Sequence, residues 1–204
     1  MSGVQHHHPL GPEPYNAARA KALESLLLEK GVLAGGTIDK IIDFFEHDMG
    51  PMNGAKVIAR AWVDPAFKKR LLDDASAAAA EFGYKGAEGE HMVAVENTSG
   101  VHNVIVCTLC SCYPWPLLGL PPYWYKDPVY RANMISKPRQ TLRDFGCAVA
   151  DDVEIRVWDS SAQIRYLVLP QRPAGTEHLG ESQLAALVTS EAMIGVEKVK
   201  AAAA

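Results

Sequence analysis

The sequence predicts an α+β protein, and three observations carry that expectation. Apolar residues recur at helical spacing through roughly the first eighty positions. After Gly89 the period shortens to that of β-branched strands. Gly and Pro then divide the remaining strand and helix patterns into short pieces, with no internal repeat. With 204 residues, 48% of them hydrophobic, the chain is long enough to bury a sizeable core.

The elements follow in order. Pro9, Pro12 and Pro14 with Gly11 keep the first residues extended, as an arm across a partner or as a free tail that includes His6, His7 and His8. Residues 17–29 place Leu23, Leu26 and Leu27 on one helical face and stop at Gly31. Thr37 is the expected cap of a second helix carrying Ile38, Ile41, Ile42 and Phe45, and Asn53 of a third reaching Trp62. Asp64 before Pro65 starts a fourth, expected to run to Gly83 with Lys68, Lys69, Arg70 and Asp73 facing water. Residues 92–95 and 104–106 read as strands. Lys137 and Pro138 open a helix through Leu142 to Phe145. Val153, Ile155 and Val157 alternate with Glu154 and Arg156, a turn follows at 159–161, and residues 164–169 return as a partner strand ended by Pro170. Residues 181–189 form a last helix with Leu184, Leu187 and Val188 inward, and 201–204 are a frayed end. The chain divides into residues 1–85, arm and helices, and residues 86–204, which carry the chemistry.

That chemistry centres on Cys107, Cys110 and Cys112, three of four cysteines within six positions at the end of a strand. In Cys110-Ser111-Cys112 the two sulfurs and the amide nitrogens of Ser111 and Cys112 can surround an ion in one plane, closing one six-membered and two five-membered chelate rings. Cys107 supplies a third sulfur and leaves one octahedral position open. Soft thiolates with nitrogen donors favour a transition metal over Mg²⁺ or Ca²⁺, and an open position marks a catalytic site. Pro114, Pro116, Pro121 and Pro122 stiffen the loop that follows. A structural zinc site is the competing reading, with Cys147 or His102 as fourth ligand. A redox pair lacks its usual strand-then-helix setting, and thiols this close would cross-link little chain as disulfides. Cys147 otherwise reads as a buried structural thiol.

The run Cys107-Thr108-Leu109-Cys110-Ser111-Cys112 resembles the metal-binding claw of nitrile hydratase alpha subunits, and Thr108 with Tyr113 resembles the cobalt form. The likeness continues through Trp115-Pro116, residues 118–122, 124–126, Tyr130-Arg131, Pro138-Arg139, 154–157 and 169–177. It implies a helical N-terminal arm followed by an α–β–β–α layered metal-binding domain. It implies one low-spin Co(III) per alpha chain, with Fe(III) as the alternative, held by Cys107, Cys110, Cys112 and the nitrogens of Ser111 and Cys112. Cys110 matches the position that becomes sulfinic acid and Cys112 the one that becomes sulfenic acid; that oxygen acts as nucleophile or as base. Ser111 offers its backbone nitrogen to the ion, or its hydroxyl to a partner group. Trp115 lines the substrate passage or is a core aromatic. Arg165 supports the site from outside, near Asp159, or forms a surface cross-strand pair. Glu88 stands where relatives carry glutamine.

The implied reaction is hydration of a small nitrile to its amide. Oxidised sulfurs need cationic donors; the nearest downstream arginine in sequence is Arg131, and Arg156 should point away, so a beta subunit is expected to supply them in an αβ or α2β2 assembly. A cobalt-delivery activator protein is a further expected partner. Thiocyanate hydrolase, which shares this claw, is the nearest enzyme alternative, and a non-catalytic zinc module the alternative of another class. A formal charge of −4 and scattered Lys and Arg give no reason to expect nucleic-acid binding. No apolar run is long enough for a membrane, and no export signal begins the chain, so the expected location is cytoplasmic.

Overall fold

The computed structural model describes residues 14–44, 48–84, 91–109 and 112–201. It divides into two compact units, residues 1–44 and 45–204. The boundary expected between 85 and 86 lies outside the described residues.

In the first unit, α1 spans Pro14–Glu29. Gly31, at φ +66°, ends it: the Gly31 N–H donates to the Leu28 carbonyl at 3.0 Å and Val32 N–H to Leu27 at 2.9 Å, satisfying carbonyls the helix leaves over. The second helix, α2 (Thr37–Asp43), is capped by Gly36 and not by Thr37, which makes no cap hydrogen bond. Gly36 sits at φ +74°, a conformation costly for threonine. Leu23, Leu26, Leu27, Ile41 and Ile42 are all exposed.

The second unit begins with α3 (Pro51–Val63), whose buried face includes Ala55, Val57, Ile58 and Ala59. Gly50 is its N-cap and Pro51 its first residue. The expected cap, Asn53, lies inside the helix, where its amide donates to the Asp48 carbonyl (2.8 Å) and the Pro116 carbonyl (3.0 Å). Asp64 does cap α4 (Pro65–Asp73), accepting from Ala66 and Phe67 N–H. The helix expected to reach Gly83 stops ten residues early. Asp74 takes an extended conformation and its carboxylate caps a new helix, α5 (Ala75–Ala80), through Ala77 N–H at 2.9 Å. A short polar side chain that can bond nearby N–H groups competes with helix continuation.

Four strands follow: β1 (Met92–Glu96), β2 (Val101–Val106), β3 (Glu154–Asp159) and β4 (Arg165–Leu169). The expected return of 164–169 onto β3 is not what forms. Instead β1 pairs with β4, and β2 with β3, both in parallel. Parallel pairing needs long crossovers, and residues 107–153 provide one with α6 (Trp115–Leu118), a 3₁₀ turn at Tyr123–Lys126, α7 (Pro128–Ser136) and α8 (Pro138–Asp144). Two buried asparagines tie the pairs together. Asn103 N–H donates to Asn97 Oδ1 at 2.7 Å, the Asn103 amide to the Glu96 carbonyl at 2.7 Å, and Trp158 Nε1–H to Asn103 Oδ1 at 2.8 Å. Unpaired strand ends buried here would cost far more than these bonds contribute.

At the C-terminal end the predicted single helix is two. The first, α9 (Glu181–Ala185), stops early, and Thr189 caps α10 (Ser190–Ile194) through Ala192 N–H at 3.1 Å. Helices α4 and α5 pack on β1, α10 on β2 and β4, and α8 on β3. The result is a mixed α+β core around the end of β2. No helix among the described residues is long and apolar enough to cross a membrane.

Candidate metal centre

Strand β2 is buried along almost its whole length and delivers the chain into Cys107, which is fully buried. Its neighbour β3 ends in register, Val106 against Asp159. The Asp159 carboxylate there accepts two hydrogen bonds from Thr108, from its N–H at 2.9 Å and its hydroxyl at 2.6 Å. On the other side Arg131, from α7, donates to the Thr108 carbonyl at 3.2 Å. The residue after the first cysteine is thus gripped at all three of its polar groups.

An aromatic wall backs the segment. Tyr130 donates its hydroxyl to the Ile105 carbonyl at 2.8 Å, and Tyr125 to the Cys112 carbonyl at 3.1 Å. Tyr113 packs edge-on to Tyr125, ring centres 5.2 Å apart. Burial pushes the phenols of Tyr113, Tyr125 and Tyr130 far above their ordinary range, so all three remain neutral hydrogen-bonding groups. Cys112 is buried as well. Cys110 and Ser111 lie outside the described residues, as does Glu88.

Arg165 is 8% exposed and is no surface pair. Its guanidinium donates to the Ser161 (2.6 Å) and Ala162 (2.7 Å) carbonyls. That turn sends the Ser160 N–H to the Val106 carbonyl at 2.7 Å. Arg165 therefore braces the turn that begins at Asp159, one step removed from the cysteines. Trp115 opens α6 and packs half-buried against the core.

Neither Cys147 nor His102 sits at the claw to complete a zinc site. Cys147 Sγ lies 3.9 Å from His102 Nε2, and that nitrogen also meets the Gly195 carbonyl at 2.7 Å. His102 and Cys107 are five residues apart on an extended strand, about 16 Å, so Cys147 and the claw belong to opposite ends of β2. Burial lowers the His102 pKa and raises that of Cys147, leaving a neutral imidazole beside a neutral thiol.

Asp159 is expected near Arg165 but not as a clamp on Thr108, and the role of Arg131 is not signalled by the sequence reading. Asp127 before Pro128 repeats the cap signal of Asp64 and Pro65, and reading it would have placed Arg131 on α7. Among the described residues, Arg131 is also an arginine that reaches the claw segment, although it is distant in sequence. Arg139 instead donates to the Val149, Ala150 and Val153 carbonyls, and Arg156 pairs with Glu154 at the surface.

A buried strand-end thiol, a second buried thiol and backbone clamps on both sides are what the structure brings together where β2 ends. The donor set suits a thiophilic transition ion. The family model for the nitrile hydratase alpha chain matches residues 14–197. A low-molecular-weight cobalt-containing nitrile hydratase alpha subunit from Rhodococcus rhodochrous is 58% identical over 180 residues, 88% of this chain and 87% of that one. A solved Fe-type nitrile hydratase from Comamonas testosteroni Ni1, a double mutant, superposes with a TM-score of 0.87 at 40% identity, covering 94% of each chain. Thiocyanate hydrolase subunit gamma from Thiobacillus thioparus is more distant, 37% identical over 86% of this chain and 76% of that one. The chain belongs to the nitrile hydratase alpha-chain family and is an enzyme subunit of that class.

Proposed function

We propose that this chain is the cobalt-bearing alpha subunit of a nitrile hydratase, which converts small nitriles to amides in complex with a beta subunit. The observation that carries this reading is the seat of Cys107 at the buried end of β2, with Thr108 held by Asp159 and Arg131. Cys107, Cys110 and Cys112, with the backbone nitrogens of Ser111 and Cys112, would hold the ion, cobalt being favoured by the name of the R. rhodochrous relative. Once bound, a trivalent ion supplies Lewis acidity toward a nitrile nitrogen or toward water.

The chain's own residues contribute position. Asp159 and Arg131 fix the peptide after Cys107, and Tyr125 fixes the carbonyl of Cys112. Arg165 keeps the 159–162 turn in place, a positioning role. A site preorganised this way loses no ordering free energy when the substrate arrives. Trp115, half-buried beside the claw's C-terminal end, gives the nitrile an apolar wall. Arg131 spends a guanidinium N–H on a backbone carbonyl. Further cationic donors for oxidised Cys110 and Cys112 come from the beta subunit, as the family resemblance implies, in an αβ unit doubled to α2β2. A cobalt-delivery protein loads the site, and thiols that must stay reduced until loading suit a cytoplasmic location.

The test is activity of the copurified complex on an aliphatic nitrile and on thiocyanate. Amide formation with little thiocyanate turnover, and negligible turnover by the alpha chain alone, is the expected result. Preferential thiocyanate hydrolysis would overturn the substrate assignment.

A further inference from the structure

Strands β2 and β3 end side by side, with Val106 opposite Asp159. The Ser160 N–H carries the ladder one step further by donating to the Val106 carbonyl at 2.7 Å. Successive side chains along extended chain point to opposite faces. Thr108 and Asp159 are both exposed, and the Thr108 hydroxyl donates to the Asp159 carboxylate at 2.6 Å, which fixes one face. Cys107, between Val106 and Thr108, and Ser160, next after Asp159, therefore share the other. Burial agrees with this alternation, since Cys107 is 0% exposed and Ser160 1%. Paired strands lie about 4.8 Å apart, which brings the Ser160 side chain beside that of Cys107.

The Ser160 hydroxyl oxygen is shut off from solvent and has no hydrogen-bond partner among the described residues. An unpaired buried hydroxyl costs about 1–3 kcal/mol, a cost that alanine would avoid in the same space. Tyr125 is near enough for both Ser160 and Cys107 to bear on its phenol. It closes no hydrogen bond with Ser160, however, and spends its own proton on the Cys112 carbonyl at 3.1 Å. Tyr130 is committed in the same way, to the Ile105 carbonyl at 2.8 Å. A cysteine sulfur that holds a metal does so as a thiolate, and negative charge buried at Cys107 calls for a hydrogen-bond donor.

We propose that Ser160 is a positioning residue for the metal centre, its hydroxyl donating a hydrogen bond to the Cys107 sulfur when that sulfur holds the ion. The inference rests on the proposed function only in placing a transition metal at the claw. Such a bond orients the sulfur and draws electron density from it, so that less reaches the metal. Ser160 acts through Cys107 from the buried face, as Asp159 acts through Thr108 from the exposed one.

The parent, Ser160→Ala and Ser160→Thr are each copurified with the beta subunit as metal-loaded complexes. They are compared by absorption spectroscopy and by cobalt release at a fixed chelator concentration, and the parent complex is crystallised. In the crystal the Ser160 oxygen should lie within hydrogen-bond reach of the Cys107 sulfur. Losing the donor raises the sulfur orbitals, so the sulfur-to-metal charge-transfer band of Ser160→Ala should move to longer wavelength. Cobalt should also leave that variant about tenfold faster. Ser160→Thr keeps a hydroxyl and should retain the parent band. A residue that only packs would leave the band of Ser160→Ala unmoved, and that result overturns the proposal. An equal shift in both variants, or a parent crystal in which the hydroxyl bonds only to water or to Tyr125, overturns it too. A parent complex carrying zinc or no metal would overturn the proposed function, and this inference with it.

Discussion

Replacing Asp159 by Ala removes both hydrogen bonds that hold Thr108 from the end of β3, at 2.9 and 2.6 Å. Charge-assisted bonds of this kind contribute about 1.5–3 kcal/mol each when buried. This bracket is at the surface, so solvent competition reduces the pair to about 1–2 kcal/mol in total. If that free energy keeps Cys107 and its successor in the metal-holding conformation, its loss should lower metal retention roughly 5-fold to 30-fold. The assay is cobalt release from the copurified complex under a fixed chelator concentration. The control is Glu154→Ala, which breaks only the surface pair with Arg156 on the same strand and should change release less than twofold. Thr108→Val keeps the backbone bond and removes the hydroxyl. A double-mutant cycle with Asp159→Ala should then show coupling of about 0.5–1 kcal/mol. Unchanged release in Asp159→Ala, or zero coupling, would refute the view that the bracket holds the claw.

Three further outcomes follow from the geometry. Cys147→Ser should leave cobalt content unchanged and lower stability by up to about 2 kcal/mol, because it puts a hydroxyl into a buried thiol's place; loss of metal in this variant would return Cys147 to the ligand set. Gly195→Ala should cost about 3 kcal/mol or more in denaturant melts, since Gly195 sits at φ +92° and an added Cβ would overlap the Asn103 carbonyl; a neutral result would show that α10 can shift off β2. His102 has its folded pKa lowered by burial from an ordinary 6.5, so the unfolded chain binds the proton more readily. Its contribution is present above pH 6.5 and lost as pH falls toward the folded value. Urea melts should therefore show His102→Gln losing less stability than the parent between pH 7.5 and 5.5, and parallel losses would remove His102 as a cause.

The claw was legible because its donors are adjacent in sequence, and the spacing of Cys110 and Cys112 alone carries a chelate argument. The helix starts at Asp64 and Pro138 and the stop at Gly31 were legible for a similar reason, since a cap or a left-handed glycine acts within a few residues. Pairing was not. Alternation in 153–157 and 164–169 shows two strands separated by a turn, which suggests that they meet. Their parallel partners, β2 and β1, lie some fifty and seventy residues back, and the choice depends on a crossover whose helix α7 was not read. The supports of the site fell into the same gap. Asp159 looked like a turn residue, and it becomes a clamp only when β3 lies beside β2. Asp74 shows the opposite failure: a local signal was present, but good helix formers before it and an alanine-rich run after it masked a break that one carboxylate enforces.

The central claim is that Cys107, Cys110 and Cys112 hold an oxidised cobalt centre. Metal analysis and non-reducing peptide mass spectrometry of the chain copurified with its beta subunit test it most directly. The account predicts one cobalt per alpha chain and a peptide spanning residues 107–112 carrying a sulfinic and a sulfenic group on Cys110 and Cys112, with Cys107 unmodified. Stoichiometric zinc, or full nitrile-hydrating activity in a complex whose three thiols carry no added oxygen, would contradict it.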